Sequence, residues 1–575
     1  MSKKLKGIGA SEGIAVAKAL VLAEEHINIQ DTKISDTKAE ITKLENAIAV
    51  SVEELDHLRQ TTEVKLGAEK AAIFEAHKEI ASDPAVKDEY IAMINDDQSN
   101  AEFAVQTISN KYYQMFAEMD DPYFKERCAD IKDVASRIIK HLMGIKIIDL
   151  STIKEEVIIV AEDLTPSQTA QLDKKFVKGF ATNIGGRTSH AAIMARSLEI
   201  PAVLGLKTIT QDVKDGEVFA LDGTNGIVEL DLDQTTIDSY LAEAQKFAAF
   251  KEELKKFKNQ VSKTKDGQTK LIEANIGSPA DIDGVLESGA EGIGLFRSEF
   301  LYMDNDHFPT EEEQFVAYKK VVEAMNKQLV VIRTLDIGGD KKLSYYEFPH
   351  EMNPFLGYRA IRFTLDKKEV FRDQIRALLR ASAFGELGIM FPMIATVDEF
   401  KDAKAFVEQC KKELDSENIK YDKNVQIGMM VEIPAAAVNA DKFAKHADFF
   451  SIGTNDLVQY SMAADRMSEK VAYLYQPTNP SLLRLIKMTI DGGHTKKRWV
   501  GMCGEMAGDV QAIPLLIGLG LDAFSMSASS VLRARQLMSK IDLKDAQDLA
   551  NQALELETNE EVLALVDAFL AKIDH

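Results

Sequence analysis

An alternation of short apolar runs with helical stretches after residue 270 constrains the fold more than any other feature of this chain. Eight such runs occur: LIEAN (271–275), EGIGLF (291–296), LVVIRT (329–334), GIMFPM (388–393), QIGMMVE (426–432), DFFSIG (448–453), WVGMCG (499–504) and AFSMS (523–527). Strands that alternate with helices form parallel sheets. Eight of them predict a closed (β/α)₈ barrel of the TIM type, whose functional site lies at the carboxyl ends of the strands.

Charged and polar residues follow these runs, at the predicted strand ends. They are Arg297, Glu299, Arg333, Asp336, Glu432, Asn455, Asp456, Cys503 and Glu505, with Arg359 and Arg466 in nearby loops. Four arginines on one face repel one another unless they bind an anion. Glu432 and Asp456 could supply hard oxygens to Mg²⁺, which usually takes one or two carboxylates plus substrate oxygens. A salt bridge at the rim would explain any one residue, whereas the whole set predicts an anion site with a metal.

The segment GGRTSHAAIMAR, residues 185–196, predicts the start of a helix beside an anion site. Ser189 is a favourable N-cap residue, so His190 is predicted in the first turn of the helix that follows. A helix N-terminus attracts anions, and Arg187 and Thr188 add a positive charge and a hydroxyl donor. A surface histidine at a loop-to-helix turn would give the same pattern, so the segment alone leaves both interpretations open.

The first 265 residues divide into three parts. Residues 4–22 predict glycine turns followed by a strand, and β-rich runs return after residue 155, so an α/β domain is predicted over 1–30 and 146–232. Residues 31–145 are predicted to be an inserted helical bundle, with further helices at 66–82, 86–95, 99–119 and 128–144. Its first helix has apolar residues at helical spacing: Ile41, Leu44, Ile48, Leu55 and Leu58. Residues 233–265 are the predicted helical linker to a barrel over 266–575.

Composition excludes several classes of protein. The net charge of −23, from 69 basic and 92 acidic residues, argues against non-specific nucleic-acid binding. Cys128, Cys410 and Cys503 are too far apart in the chain for a metal-ligand motif or a disulfide framework, which predicts a reducing cytoplasm. The sequence has no recognisable signal peptide and no apolar run of membrane-spanning length. We therefore expect a cytoplasmic protein of several α/β domains, without membrane insertion.

Seven segments resemble Enzyme I of the bacterial sugar phosphotransferase system, the phosphoenolpyruvate-protein phosphotransferase family. They are GGRTSHAAIMAR, GIGLFRSEFLYM, RTLDIGGDK, NPFLGYRAIR, GMMVEIPAAA, FFSIGTNDLVQY and GMCGEMAGD. The resemblance extends over essentially the whole chain, beginning with GIGASEGIA near the start. It implies an enzyme that transfers the phosphoryl group of phosphoenolpyruvate to its own histidine and then to a histidine of the phosphocarrier protein HPr, releasing pyruvate.

The resemblance also implies roles for individual residues. His190 would carry the phosphoryl group, and Cys503 would be the proton donor. Glu432 and Asp456 would ligate Mg²⁺. The substrate-binding residues would be Arg297, Arg333, Arg359, Asn455, Asp456 and Arg466. On the same grounds, the α/β domain would be a phosphohistidine domain, and the barrel would form a homodimer.

The resemblance further implies that the helical bundle binds HPr, whose docking face is basic in this family. The segment GAEKAAIFEAH (67–77) resembles the HPr-contacting region and offers Glu69, Glu75 and His77. Acidic residues there would steer a basic partner. Because His190 must meet phosphoenolpyruvate and HPr in turn, we also expect a rigid-body swivel about the 233–265 linker.

Two alternatives remain open at this point. Phosphoenolpyruvate synthase and pyruvate phosphate dikinase resemble the same segments, but they carry a large ATP-binding domain ahead of the histidine and usually Cys directly before it. Here 189 residues precede His190, most of them in the helical insertion, and the preceding residue is Ser189. A catalytically silent protein that binds phosphoenolpyruvate and regulates a partner is the other alternative. The intact His190, metal pair and Cys503 argue against it.

Overall fold

The structure is a computed structural model that describes most of the chain. The described residues are 2–22, 29–66, 68–118, 122–145, 147, 150–169, 171–186, 189–303, 305–339, 341, 343–466 and 468–573. They fall into two compact units, residues 1–251 and residues 252–575. The first contains the predicted α/β domain and helical bundle, and the second contains the predicted barrel.

The α/β part of the first unit is built on a single sheet. Its strands are β1 (Lys3–Lys6), β2 (Ile8–Ser11), β3 (Ile14–Val21), β4 (Val157–Ala161), β5 (Val177–Thr182), β6 (Ala202–Leu204), β7 (Val218–Asp222) and β8 (Ile227–Leu230). Within the described residues their order is β1-β8-β7-β3-β4-β5-β6-β2. The central strands β3 to β6 are parallel, and antiparallel pairs flank them. All of β4 is buried, as expected for a strand covered on both faces.

The helices of the first unit include the predicted bundle. The bundle helices are α1 (Thr37–Leu66), α2 (Ala68–Ser82), α3 (Pro84–Asp96), α4 (Ala101–Glu118) and α5 (Pro122–Leu142). The α/β part adds α6 (Pro166–Thr169), α7 (His190–Leu198) and α8 (Ile209–Asp212), and α9 (Gln234–Lys255) occupies much of the predicted linker. The predicted apolar face of α1 packs into the bundle core, where Leu44, Ile48, Leu55 and Leu58 are buried and Ile41 is partly buried.

The first 22 residues form more strands than the sequence predicts. A single strand after glycine turns was expected, whereas β1 and β2 precede β3. Lys3 pairs with Leu230 and Ile8 pairs with Leu204, so these short strands depend on partners far along the chain. Local sequence carries no signal for such pairing. Helix α5 also begins earlier than predicted, at Pro122, since proline is favourable in the first turn of a helix.

The second unit confirms the predicted barrel. Its strands are β9 (Leu271–Ile276), β10 (Ile293–Arg297), β11 (Val330–Arg333), β12 (Leu387–Phe391), β13 (Gln426–Val431), β14 (Phe449–Ile452), β15 (Trp499–Met502) and β16 (Ala523–Met526). Among the described residues of this unit, these eight strands close into a barrel in chain order, each parallel to its neighbours. Each strand overlaps one of the eight apolar runs.

Helices surround this barrel. They are α10 (Ile282–Ser288), α11 (Phe300–Met303), α12 (Glu311–Ala324), α13 (Ile361–Asp366), α14 (Lys368–Ala381), α15 (Val397–Ser416), α16 (Pro434–Val438), α17 (Ala440–Phe443), α18 (Thr454–Met462), α19 (Pro480–His494), α20 (Ile513–Leu519), α21 (Ala528–Lys540), α22 (Leu543–Glu555) and α23 (Asn559–Ile573). No helix among the described residues of either unit is long and apolar enough to cross a lipid bilayer.

Side chains fill the barrel interior. Phe449 and Trp499 stack with their ring centroids 4.5 Å apart. A Cβ atom at Gly428 would lie 2.6 Å from the Phe449 ring, so the glycine makes room for this stack. Leu295 and Met430 belong to the same buried interior cluster. Because the interior is packed, a ligand site must lie at the mouth of the barrel.

Candidate active site

The predicted barrel residues lie around one end of the barrel. They are Arg297 and Arg333 as the last residues of β10 and β11, Glu432 directly after β13, Asn455 and Asp456 in the first turn of α18, and Cys503 directly after β15. Parallel barrel strands end on one face, so these side chains share the mouth. Arg359 and Arg466 reach the same place from loops, because both approach the carboxylate of Asp456.

Asp336 holds two of these arginines side by side. Its Oδ1 lies 2.8 Å from Nη2 of Arg359, and its Oδ2 lies 3.1 Å from Nη1 of Arg333. Lys341 Nζ is 3.5 Å from the same Oδ2, and Glu299 Oε1 lies 2.6 Å from Nη2 of Arg333. Burial alone would raise the pKa of Asp336, but the three cations hold it far below its usual range. Two guanidinium groups are therefore fixed together despite their mutual repulsion.

The arginines retain donors for a ligand. The Nε atoms of Arg333 and Arg359 are buried and make no hydrogen bond within the described part of the chain. An unsatisfied buried donor costs about 1–3 kcal/mol. Arg297 reaches solvent at the mouth, but desolvation by its surroundings and the charge of Arg333 lower its pKa. An anion bound at this place would accept hydrogen bonds from the unpaired Nε atoms and would offset the repulsion between the guanidinium groups.

The sequence places Glu299 and Asp336 at the strand ends but indicates no role for either. It does not single out Lys341 or Tyr460, whose hydroxyl accepts a hydrogen bond of 3.3 Å from Nη1 of Arg359. The available signal was a carboxylate close in sequence to a predicted anion-binding arginine, as in RTLD. A buried arginine needs a fixed counter-charge, and a nearby carboxylate is the simplest source.

The backbone beside Arg359 adopts a strained conformation. Ala360 has φ +54° and ψ −127° and is fully buried. Gly338 has φ +108°, and a Cβ atom there would lie 2.6 Å from Cβ of Arg359. Such a conformation at a residue other than glycine costs on the order of 1–3 kcal/mol and persists only where its surroundings impose it. The surrounding residues therefore fix the main chain at Arg359 firmly enough to impose this conformation on Ala360.

Glu432 and Asp456 fit a cation site. Glu432 is completely buried, and its Oε1 accepts a hydrogen bond of 2.6 Å from the backbone N–H of Met393. Its Oε2 and Oδ1 of Asp456 are buried oxygens that accept no hydrogen bond within the described residues. Burial and the charge of Asp456 raise the pKa of Glu432 to about 8. A cation between the two carboxylates would bind their unpaired oxygens and offset the repulsion between their charges.

The number of protein ligands also suits a metal that shares its coordination with substrate. Among the described residues, no group of three or more His, Cys, Asp or Glu side chains could hold a metal ion. Two carboxylates supply fewer oxygens than Mg²⁺ requires, so substrate and water oxygens would complete its coordination.

Arg466 and Asn455 place further donors near this pair. Arg466 Nη1 lies 3.8 Å from Oδ2 of Asp456, and its backbone N–H donates to the side chain of Gln459 at 3.1 Å. Asn455 Oδ1 accepts a hydrogen bond of 3.0 Å from the hydroxyl of Tyr475. This bond uses the amide oxygen, so the NH₂ group is the part of Asn455 that can donate to an anion.

Cys503 lies in the buried interior cluster, directly below the charged mouth. Its side chain is 3% exposed. Burial raises the pKa of the Cys503 thiol, although a hydrogen bond with the side chain of Ser451 and the charge of Arg333 act in the opposite direction. The net upward shift of the pKa favours the protonated thiol. Cys128 lies in α5, within a predicted helix, Cys410 lies in α15, and both are buried.

The histidine segment confirms the predicted helix start. Helix α7 begins at His190, and the Ser189 hydroxyl caps it by accepting a hydrogen bond of 3.3 Å from the N–H of Ala192. Arg187 and Thr188 lie outside the described residues, as does the side chain of His190. The backbone therefore places residue 190 at a helix N-terminus, where an anion is favoured.

The predicted partner-binding residues have different environments. Glu75 is half exposed on α2, where its carboxylate lies 3.3 Å from Nε of Arg59. His77 is instead 1% exposed, with Nε2 3.0 Å from Oδ1 of Asp130, so its side chain belongs to the bundle interior and cannot touch a docked protein. Sequence reasoning placed it on the surface because one turn of an amphipathic helix does not reveal which face is covered. The side chain of Glu69 lies outside the described residues.

Comparison with known proteins decides between the families considered above. Residues 6–127, 153–226 and 251–543 match the families described as PEP-utilising enzyme, N-terminal, mobile domain and PEP-binding domain. A phosphoenolpyruvate-protein phosphotransferase of Mycoplasma capricolum is 67% identical over 574 residues, covering 100% of both chains. Proteins of the same name are 54% identical in Bacillus subtilis, over 98% of this chain and 99% of theirs, and 52% identical in Staphylococcus aureus, over 99% and 100%. The chain belongs to the phosphoenolpyruvate-protein phosphotransferase family.

Membership in the phosphoenolpyruvate-protein phosphotransferase family confirms the resemblance that the seven segments carry. The match to the mobile domain contains His190, and the match to the PEP-binding domain contains the charged barrel mouth together with Cys503. The relatives that match this chain over nearly their full lengths are named phosphoenolpyruvate-protein phosphotransferase. Phosphoenolpyruvate synthase and pyruvate phosphate dikinase are therefore not supported.

Proposed function

We propose that the protein transfers the phosphoryl group of phosphoenolpyruvate to its own His190 and then to a histidine of HPr, releasing pyruvate. This is the first step of the sugar phosphotransferase system. The observation that carries the proposal is the barrel mouth, where arginines with unmet donors, two carboxylates with unmet oxygens and a buried thiol converge. Family membership supports the same reaction.

The arginines would bind and orient phosphoenolpyruvate. Phosphoryl transfer depends mainly on positioning and on stabilising charge, which fixed guanidinium groups provide. Arg297, Arg333, Arg359 and Arg466 are the proposed phosphate and carboxylate donors, together with the NH₂ group of Asn455. Because Asp336 and Glu299 fix Arg333 before substrate arrives, little reorganisation accompanies binding.

Glu432 and Asp456 would hold Mg²⁺. When bound, the metal would neutralise negative charge on the substrate oxygens. The neutral imidazole of His190 would attack phosphorus in line, so that an N–P bond forms while the P–O bond to the enol oxygen breaks. Cys503 would give its thiol proton to the methylene carbon of the enolpyruvate, which becomes the methyl group of pyruvate.

Delivery of His190 to two different partners calls for movement of its domain. We propose that this occurs by a rigid-body swivel about residues 233–265. A homodimer formed through the barrel and a cytoplasmic location complete the proposal. The cytoplasmic location is supported by Cys128, Cys410 and Cys503, which form no disulfide.

Replacement of the proposed proton donor should separate the two chemical steps. We expect Cys503→Ala to lower the exchange of pyruvate methyl hydrogens with deuterated water by at least about 100-fold, because general acid–base catalysis is worth roughly 10²–10⁴-fold. NMR spectroscopy of pyruvate with Mg²⁺ and inorganic phosphate measures this exchange. Phosphorylation of His190 in a single turnover should still occur, but slowly. Cys410→Ala is the control, since it also removes a buried thiol. Normal exchange in Cys503→Ala would remove the cysteine from the mechanism.

Charge reversal on the bundle tests the proposed HPr surface. We expect Glu75→Lys to slow phosphoryl transfer to HPr by about 10-fold or more, because like charges across an interface hinder association. Phosphorylation of His190 by phosphoenolpyruvate should not change. Glu408→Lys is the matched control, because it makes the same charge change on an exposed glutamate of the barrel unit. Equal HPr transfer rates in the two variants would place the docking surface elsewhere.

A further inference from the structure

Cys503 occupies a position where the strand ladder has ended. The pairing of β15 with β16 extends only to Met502 opposite Phe524. Beyond it, the N–H of Cys503 donates to the carbonyl of Ile452 at 3.1 Å. The Cys503 carbonyl faces the side chain of Asn275, whose Nδ2 donates to it at 3.0 Å. A side chain from β9 therefore reaches past β16 to take the place of a ladder partner.

The orientation of the Asn275 amide is fully determined. Its Nδ2 donates to two backbone carbonyls, those of Cys503 at 3.0 Å and of Ser525 at 3.3 Å. Carbonyl oxygens only accept hydrogen bonds, so the NH₂ group must face them. The amide oxygen then accepts a hydrogen bond of 2.6 Å from the Ser525 hydroxyl. Ser525 thus fixes the amide, and the amide fixes the main chain at residue 503.

The other side of Cys503 is restrained by close packing. A Cβ atom at Gly504 would lie 1.8 Å from Oγ1 of Thr454 and 2.7 Å from its nitrogen. The chain after Cys503 therefore lies directly against the first residue of α18, next to Asn455 and Asp456. This contact limits movement toward α18, and the hydrogen bond from Asn275 restrains rotation of the Cys503 carbonyl.

We propose that Asn275 is a positioning residue that directs the Cys503 thiol toward the methylene carbon of the enolpyruvate. The inference rests on the proposed role of Cys503 as proton donor. In that step the S–H bond breaks and a C–H bond forms at the methylene carbon, which leaves a thiolate that solvent reprotonates. Within the described residues, the Asn275 amide bonds to the carbonyls of Cys503 and Ser525 and to the Ser525 hydroxyl, so its proposed effect on the thiol passes through the main chain. A displacement of about 1 Å in a reacting group can cost on the order of 100-fold in rate, so loss of the amide should affect this step selectively.

Two measurements on Asn275→Ala test the proposal. We expect pyruvate methyl exchange to fall by about 10- to 100-fold. The single-turnover rate of His190 phosphorylation should change by less than about twofold, because the phosphoryl group is held by the arginines. A residue that merely supports the fold would lower both rates together. Asn439→Ala is the matched control, since Asn439 also donates its amide to a carbonyl but lies between α16 and α17.

A double-mutant cycle makes the test specific. If Asn275 acts only through the cysteine, adding Asn275→Ala to Cys503→Ala should leave the residual steady-state turnover unchanged, because residues that act as a unit are non-additive. A further fall in turnover would overturn the proposal, as would exchange within twofold of wild type in Asn275→Ala. Equal losses of exchange and phosphorylation would do the same.

Ser525→Ala provides a second variant if Asn275→Ala does not fold. It removes only the hydroxyl that fixes the amide, so we expect a smaller but still selective loss of exchange, about threefold to 10-fold. No loss of exchange in Ser525→Ala would then count against the proposal. Failure of the proposed function would give a different result, namely normal exchange in Cys503→Ala. Loss of exchange in Cys503→Ala with normal exchange in Asn275→Ala contradicts the positioning role alone.

Discussion

His190→Ala should abolish the transfer of labelled phosphoryl groups from phosphoenolpyruvate to the protein and to HPr. Without the imidazole no other residue can form the covalent intermediate, so the loss should reach the detection limit, at least about 10⁴-fold. Incubation with Mg²⁺ and ³²P-labelled phosphoenolpyruvate, followed by mapping of the labelled peptide, measures this directly. In wild-type protein the label should lie on the peptide that contains His190.

Two further results make this prediction specific. His190→Ala should retain exchange of pyruvate methyl hydrogens, because that reaction uses the barrel unit, which the substitution does not alter. His494→Ala is the control: this histidine is part-exposed and paired with Asp522, so its removal should leave labelling intact. Label on any peptide without His190 would overturn the central proposal.

Arg333→Met should lower the rate of His190 phosphorylation by about 10²–10³-fold, the effect of removing one fixed donor to developing charge. Arg333 is buried, its Nε has no hydrogen-bond partner among the residues that the structure describes, and its terminal nitrogens are held by Glu299 and Asp336. The substitution also removes one counter-charge from each of two buried carboxylates, Glu299 and Asp336, so the midpoint of thermal unfolding should fall. Single-turnover labelling at a temperature well below that midpoint separates the two effects.

Arg376→Met provides the matched control for the loss of stability. Arg376 is also 5% exposed, and its guanidinium group contacts Glu311 on α12, Glu413 on α15 and Glu417 directly after α15. We expect a similar loss of thermal stability and nearly unchanged labelling. If the two variants lost labelling equally, the defect of Arg333→Met would reflect unfolding, and Arg333 would have no special part in phosphoryl transfer.

Most of the barrel was predictable because its signals are local. Each apolar run is short, bounded by turn residues and separated from the next by a helical stretch, so a segment such as QIGMMVE reveals β13 by itself. The N-cap residue Ser189 could also be predicted from the sequence, since an N-cap acts within one helical turn. In contrast, β1 and β2 consist of four residues each and pair with strands near residues 230 and 204, which no local pattern indicates.

The residues that form the site were predictable from the sequence, but the residues that hold them in position were less so. Strand-end position alone suggested Arg333, Glu432 and Cys503, because a parallel barrel brings its strand ends to one face. Which residues hold these side chains in position depends on which segments meet across the barrel. His77 illustrates the same limit, since burial against Asp130 of another helix reverses the prediction of an exposed partner residue.

The sequence by itself determined the order of elements, the barrel and the face on which its charged residues gather, because hydrophobic periodicity and turn chemistry act over a few residues. Only the tertiary structure decided that Asp336 joins Arg333 to Arg359, and that Asn275 holds the carbonyl of Cys503 from 228 residues away. Contacts of this kind require two distant segments to meet within hydrogen-bonding distance. That distance depends on strand register and barrel closure, which the packing of the whole unit fixes and no local stretch of sequence encodes.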